Sequence, residues 1–147
     1  MARPILHSSD FSPASGPAFR KALELAKSMR RPLLIAHVLS PVTLVTGEMY
    51  MAPNVWPMLE QSIELVARRG MARLLKQARA AGVRASSLLL RGTTHDAIVR
   101  AARTRHAEMI VMGTHGRTGV KGVLLGSVAS RVLTHATCPV MTVRARQ

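Results

Sequence analysis

The stretch VMGTHGRTGVKGVLLGSVASRV, residues 111–132, decides how the rest of the chain is read. It opens apolar, passes through five glycines and closes with the apolar spacing of a helix. Glycine costs backbone entropy wherever it sits. A cluster of it between a buried strand and a helix start implies a backbone that turns through conformations closed to other residues, or one that a ligand approaches closely. The informative spacing is Gly113, two residues, Gly116, nine residues, Gly126, then Ser127. A helix beginning at Ser127 would turn unpaired N–H groups and the positive end of its dipole toward an anion. The Ser127 hydroxyl can donate to phosphate or help hold a magnesium ion that arrives with it. Arg117 and Lys121, in the same loop, can neutralise a polyphosphate. Two other phosphate loops do not fit. Thr118 and Lys121 stand where the second glycine of a Walker loop would fall, and the first strand is followed by HSSDFS rather than by GxGxxG.

Working outward, PILHSS (residues 4–9) reads as a short buried strand ending at Asp10. Turn residues follow, then a helix in which Phe19, Ala22, Leu23 and Ala26 repeat at i, i+3, i+4 and i+7. PLLIAHVL (residues 32–39) is a second apolar strand. Residues 40–57 carry three prolines and read as an irregular loop. A helix from about residue 58 to 81 then puts Ile63, Ala67, Met71, Leu74 and Ala78 on one face, with Arg68, Arg69, Arg73, Lys76 and Arg79 opposite; Gly82 stops it. VRASSLLL is a third strand and GTTHDAIVRAARTRH a helix capped by Thr93 or Thr94. EMIVM, residues 108–112, is a fourth strand. The glycine loop leads to a helix over 127–135, and CPVMTVR closes the chain as a fifth strand.

Alternating strands and helices, with strands that are continuously apolar, predict an α/β fold: an open five-stranded parallel sheet with helices on both faces. Right-handed crossovers put every strand-to-helix loop at one edge, where such sheets bind ligands. Asp10, the loop after Leu39 and the loop after Met112 all belong to that edge. The length of 147 residues suits one domain spanning 1–147. No apolar run is long enough to span a bilayer, and MARPILHSSD lacks the pattern of a signal peptide, so a cytoplasmic location is expected. The lone Cys138 reads as a small buried residue, and the six histidines show no metal-ligand spacing. His7 and His37 lie in strands, as core or pocket-edge residues.

The loop, Asp10 at the end of the first strand, AHVLSP as second strand and CPVMTVR at the end together resemble the universal stress protein family. The likeness covers nearly the whole chain and is weakest over residues 40–57. In that family the Gly/Ser spacing marks the ATP-binding members. The resemblance implies a Rossmann-like domain of the adenine nucleotide alpha hydrolase-like type, with ATP, ADP or AMP as ligand. Ser9 and Asp10 would serve the adenine and ribose end, and Val38 would meet adenine through its backbone. Met112, Gly113, Thr114, His115, Gly116, Gly126, Ser127 and Val128 would line ribose and phosphates, with Arg117 beside the phosphates. Many members end the first strand with Pro-Thr-Asp; Ser8-Ser9-Asp10 here keeps the acid. The resemblance also puts the last strand at a sheet edge. Val140 to Val143 carry no proline or charge, so a homodimer paired antiparallel through residues 139–144 is expected.

Charge is the composition's strongest feature. Lys and Arg total 21, seventeen of them Arg, against 7 acids, for a formal +14. Such a balance suits polyanionic company without choosing which. With two Asp and five Glu in all, no catalytic residues or protein-only metal site are assigned. The expected function is an adenine-nucleotide-binding stress-response regulator whose occupancy alters contacts with a protein partner that the sequence does not identify. Two alternatives stay open: a basic nucleic-acid-associated module using the arginine stripe of the long helix, and a slow ATPase. Four aromatic residues in the whole chain disfavour base stacking and hence the first of these.

Overall fold

In the computed structural model, residues 2–41, 53–116 and 124–146 are described. Five strands and four α-helices alternate: β1 (Ile5–Ser8), α1 (Gly16–Ser28), β2 (Leu33–Leu39), α2 (Val55–Ala80), β3 (Ala85–Arg91), α3 (Thr94–Thr104), β4 (Met109–Gly113), α4 (Ser127–His135) and β5 (Val140–Val143). A 3-10 turn over Pro13–Ser15 precedes α1. All pairings are parallel and the strand order is β3-β2-β1-β4-β5. The α/β class, the five parallel strands and the helices on both faces agree with the sequence reading.

Helix boundaries follow from local chemistry. α2 begins at Val55, three residues before the expected start, and takes Pro57 into its first turn. That is tolerable because first-turn N–H groups have no helical acceptor to lose. It ends where Gly82 adopts φ +77°, a left-handed turn that costs glycine little. Most of the irregular loop expected over 40–57 lies outside the described residues.

The strands are buried on both sides. Ile5, Leu33, Ile35 and Val111 pack against Phe19, Ala22 and Ala26 of α1 and Leu74 and Ala78 of α2. Leu6, Leu34, Ala36 and Ile110 pack on the other face against Ile98, Ala101, Ala129 and Val132 of α3 and α4. The apolar stripe expected on α2 is the buried one for Ala67, Met71, Leu74 and Ala78, while the five basic side chains opposite are all exposed. Cys138 departs from expectation: it is half-buried, at the margin of the α3/α4 core.

One polar side chain lies at the centre of this core. His7 of β1 is fully buried beside the Phe19 ring, 5.5 Å centroid to centroid. Its Nδ1–H donates to the Val111 carbonyl at 3.0 Å, while Nε2 is buried without a hydrogen-bond partner. Burial pushes the imidazole pKa down to about 4, outweighing the Val111 bond and the charge of Asp10 that favour the cation. His7 is therefore neutral in the fold and charges in the unfolded chain near its ordinary value of 6.5. Stability attributable to His7 is intact above pH 6.5 and falls as the pH drops toward 4, because the unfolded state then binds the extra proton. Between pH 7.5 and 5 the loss should be roughly 2 kcal/mol. Urea titrations at both pH values on wild type and His7→Gln check this, with the variant losing that much less. The C2–H resonance of His7 should stay in its neutral position down to pH 5; a midpoint near 6.5 in the folded protein would refute the assignment.

Candidate functional site

β1 feeds α1 on one face and leads leftward to β2 and β3, whereas the chain crosses to the other side of β1 for β4 and β5. Loops leaving β1 and β4 therefore part in opposite directions and open a crevice between them. A cleft of about 710 Å³ occupies that place, within the size range of small-molecule sites.

Four groups of residues line it. From β1 and the following turn come Ser8, Ser9, Asp10 and Ser15; from β2 and its end, His37, Val38, Leu39 and Ser40. Met112, Gly113, Thr114, His115 and Gly116 continue β4, and Gly126, Ser127, Val128 and Ala129 form the first turn of α4. Ile63 of α2 and Thr94 of α3 complete the wall. The cleft thus brings together Ser9, Asp10, Val38, Met112, Gly113, Thr114, His115, Gly116, Gly126, Ser127 and Val128, the residues singled out from sequence. Arg117, and Lys121 with it, lie outside the described residues. Among the described lining residues there is no Lys or Arg.

Asp10 is held by its own turn. Its Oδ1 accepts the Ser12 backbone N–H at 2.9 Å and the Ser12 hydroxyl at 2.6 Å, bending the chain out of β1. Behind it, Ser15 donates to the Ser12 carbonyl at 2.7 Å. Ser15 has no second proton, so the Ser9 hydroxyl donates to Ser15 across 3.3 Å and accepts the Phe11 N–H at 3.1 Å.

Of the two reasons expected for the loop glycines, an unusual backbone turn is not the one the described positions show. Among the described glycines only Gly82 and Gly92 have positive φ; Gly126 sits at φ −68°. What the loop requires is space. A Cβ on Gly116 would stand 2.9 Å from Asp10 Oδ2, and one on Gly126 would stand 3.0 Å from the Thr114 carbonyl. Gly126 N–H donates to that same carbonyl at 2.6 Å, drawing the start of α4 against the end of β4. Among the described residues no side chain caps α4, whose N-cap is Gly126. The first-turn N–H groups of a helix have no acceptor within it.

Periodicity gave no hint of Phe11, Gly70 and His37 acting together. Phe11 takes φ +62°, a left-handed conformation that costs a bulky residue roughly 1–2 kcal/mol. Its ring stacks on His37 at 4.4 Å. The other support is Gly70, midway along α2, where a Cβ would come within 2.8 Å of the ring. His37 in turn donates Nδ1–H to the Ser9 carbonyl at 2.8 Å and faces the cleft. A glycine in the middle of a long helix was the available signal, since it marks either a weak point or a close approach.

The model of the universal stress protein family matches residues 1–144. The chain belongs to that family. Universal stress protein A homolog 1 of Coxiella burnetii is 36% identical over 141 residues, covering 95% of this chain and 94% of that one. A universal stress protein of Thermus aquaticus is 34% identical, covering 98% of this chain and all of its own length. Among solved structures, the universal stress protein from Archaeoglobus fulgidus in complex with dAMP aligns with a TM-score of 0.70 and 26% identity, over 97% of this chain and 98% of that one.

Replacing Gly70 by Ala tests the Phe11 notch. Mid-helix Gly→Ala normally stabilises by up to ~1 kcal/mol, but overpacking here should cost about 1–3 kcal/mol. We expect a net loss of about 1 kcal/mol in urea denaturation, recovered in part when Phe11→Leu is added. A Gly70→Ala chain more stable than wild type would mean that the ring does not occupy the notch.

Proposed function

We propose that this universal stress protein binds an adenine nucleotide, ATP foremost, in the cleft between the β1 and β4 loops. Occupancy would regulate contacts with a protein partner during stress, in the cytoplasm. The observation that carries this reading is the start of α4: a helix N-terminus that no described side chain caps opens into a cleft whose far wall includes Val38, Leu39 and Ile63.

The two ends suit the two ends of a nucleotide. Val38, Leu39 and Ile63 lie on the β2 side and offer an apolar slot for a base. Ser127, Val128 and Ala129 lie beyond β4 and offer backbone donors to phosphate oxygens. Between them run two strand spacings, about 10 Å, the reach of a nucleoside and its first phosphates. Asp10, beside Gly116, would accept from ribose hydroxyls. Gly113, Thr114, His115 and Gly116 would follow the sugar and phosphates along the opposite side, with Arg117 beside them. Magnesium carried in with the phosphates would find the Ser127 hydroxyl; among the described residues no three His, Cys, Asp or Glu side chains could hold a metal by themselves. The dAMP bound to the Archaeoglobus fulgidus relative supports the ligand class. A bound nucleotide would supply negative charge at the start of α4, a start that the Gly126–Thr114 hydrogen bond already holds against the end of β4.

Mass analysis of nucleotide extracted from freshly purified protein tests the ligand class. Asp10→Asn tests the orientation. A buried hydrogen bond to a charged acceptor contributes roughly 1.5–3 kcal/mol, so ATP and dAMP should bind at least about tenfold more weakly by calorimetry. Inorganic triphosphate should be unaffected. Equal loss for both would put Asp10 at the phosphate end instead.

The same reading includes a homodimer through residues 139–144. Among the described residues β5 is bonded only to β4, and all four of its residues are half-buried. Ile110 N–H bonds the Pro139 carbonyl and Thr114 N–H the Val143 carbonyl, with Ile110 opposite Val140. In this parallel register residues 139, 141 and 143 face β4, and Val140 and Thr142 turn their N–H groups outward. Thr142→Pro removes an outward donor and leaves the β4 ladder in place. Light scattering after size exclusion should give the mass of two chains for wild type and of one for Thr142→Pro. A monomeric wild type at micromolar concentration ends the proposal.

A further inference from the structure

We infer that the edge of the sheet opposite the cleft is a second binding surface, for the phosphate backbone of duplex nucleic acid. Parallel strands all begin at one edge, so the residues preceding each strand converge there. Arg3 precedes β1, Arg30 and Arg31 precede β2, Arg84 precedes β3 and Arg105 precedes β4. Main-chain bonds fix their order across the edge. Leu33 N–H donates to the Arg84 carbonyl, Ile5 N–H to the Pro32 carbonyl and Glu108 N–H to the Pro4 carbonyl, each within 2.9 Å. β3, β2, β1 and β4 start side by side, so the arginines span about 14 Å at the usual strand spacing. Lys27, Arg79 and Arg103, in the last turns of α1, α2 and α3, reach the same edge.

Helix dipoles account for the cations in those last turns, and for Arg30 and Arg105 at the ends of α1 and α3, but not for Arg3 or Arg84. Arg30 occupies a left-handed position, φ +52°, of the kind that the chain gives to Gly82 after α2. Opposing charge is scarce: Glu108 lies 3.9 Å from Arg3 and 3.5 Å from Arg31 and is already shared between them. The Nε of Arg31 is buried without a hydrogen-bond partner. Arg3, Arg30, Arg84, Arg103 and Arg105 are exposed. The described lining of the cleft, at the other end of the strands, holds no Lys or Arg. Most of the +14 charge is therefore not engaged by the cleft.

Guanidinium forks match phosphate oxygens two by two. Of the large apolar side chains exposed among the described residues, only Met29 and Leu133 stand near this edge, and no exposed aromatic does. That argues against a protein hot spot or membrane insertion, both of which need apolar anchors. It also argues against stacking on single-stranded bases. What remains is backbone contact without sequence readout, the mode that a row of arginines supplies to a duplex.

The experiment is fluorescence anisotropy with a labelled 20-base-pair duplex of arbitrary sequence, from 50 to 200 mM salt. Wild type should bind with a steep salt dependence. Arg30→Glu/Arg84→Glu/Arg105→Glu should bind at least tenfold more weakly and lower the salt slope by roughly three. Arg69→Glu/Arg73→Glu/Lys76→Glu, which changes net charge equally on the outward stripe of α2, should stay within about threefold of wild type. Circular dichroism checks that both variants fold. Equal losses in the two variants would mean that net charge alone is felt, and overturn the proposal. So would a wild type that ignores duplex at 50 mM salt while binding anionic phosphatidylserine vesicles through the same three arginines.

Discussion

Pairing of β1 with β4, in register from Ile5 opposite Met109 to Ser8 opposite Met112, is the contact on which the rest of the structure depends. Their paired residues are 104 positions apart in sequence, as the His7–Val111 hydrogen bond records. Once these strands are neighbours, right-handed crossovers send α1 and α2 to one face and α3 and α4 to the other. The loops that leave β1 and β4 must then separate, and the cleft is the space between them. His7 sits on that seam with its imidazole neutral and its donor spent on the partner strand. Burying it costs less than burying a charge, and the bond pins the two strands at the level of the cleft floor.

The parallel sheet also gives the molecule two unlike ends. Carboxyl ends of the strands carry the small and apolar residues of the cleft, together with the acid Asp10. Amino ends carry the arginines that precede β1, β2, β3 and β4. Chain direction makes this segregation possible: in an antiparallel sheet every edge would mix the two kinds of loop. A phosphate ligand at the first end would be held chiefly by backbone dipoles at the start of α4, and a polyanion at the other by side-chain charge. These are different physical means, and they respond differently to salt.

Space, rather than backbone permissiveness, explains the described loop glycines. Gly116 leaves room for the Asp10 carboxylate and Gly126 lets α4 close on Thr114. The same economy operates on the far side of β2, where Gly70 admits the Phe11 ring and so holds His37 at the cleft wall. In each case a missing Cβ lets two segments that are distant in sequence touch. Strain at Phe11 is then tolerated because packing on both sides over-determines its position.

Much of this was legible in the chain itself. Helical spacing revealed the buried stripe of α2, Gly82 its end, and the Gly/Ser spacing the start of α4. These are local properties, set by periodicity and by what glycine and serine do to a backbone within a few residues. The early start of α2, Phe11 against Gly70, and the half-exposure of Cys138 were not legible, because each is decided by what packs alongside from elsewhere in the sequence. The gathering of the arginines shows the difference most plainly. From the sequence they are scattered cations, and the stripe on α2 draws the eye first. Only the order of the strands, a non-local outcome of burial and crossover handedness, puts Arg84, Arg31, Arg3 and Arg105 along one edge and leaves the described wall of the cleft without a single Lys or Arg.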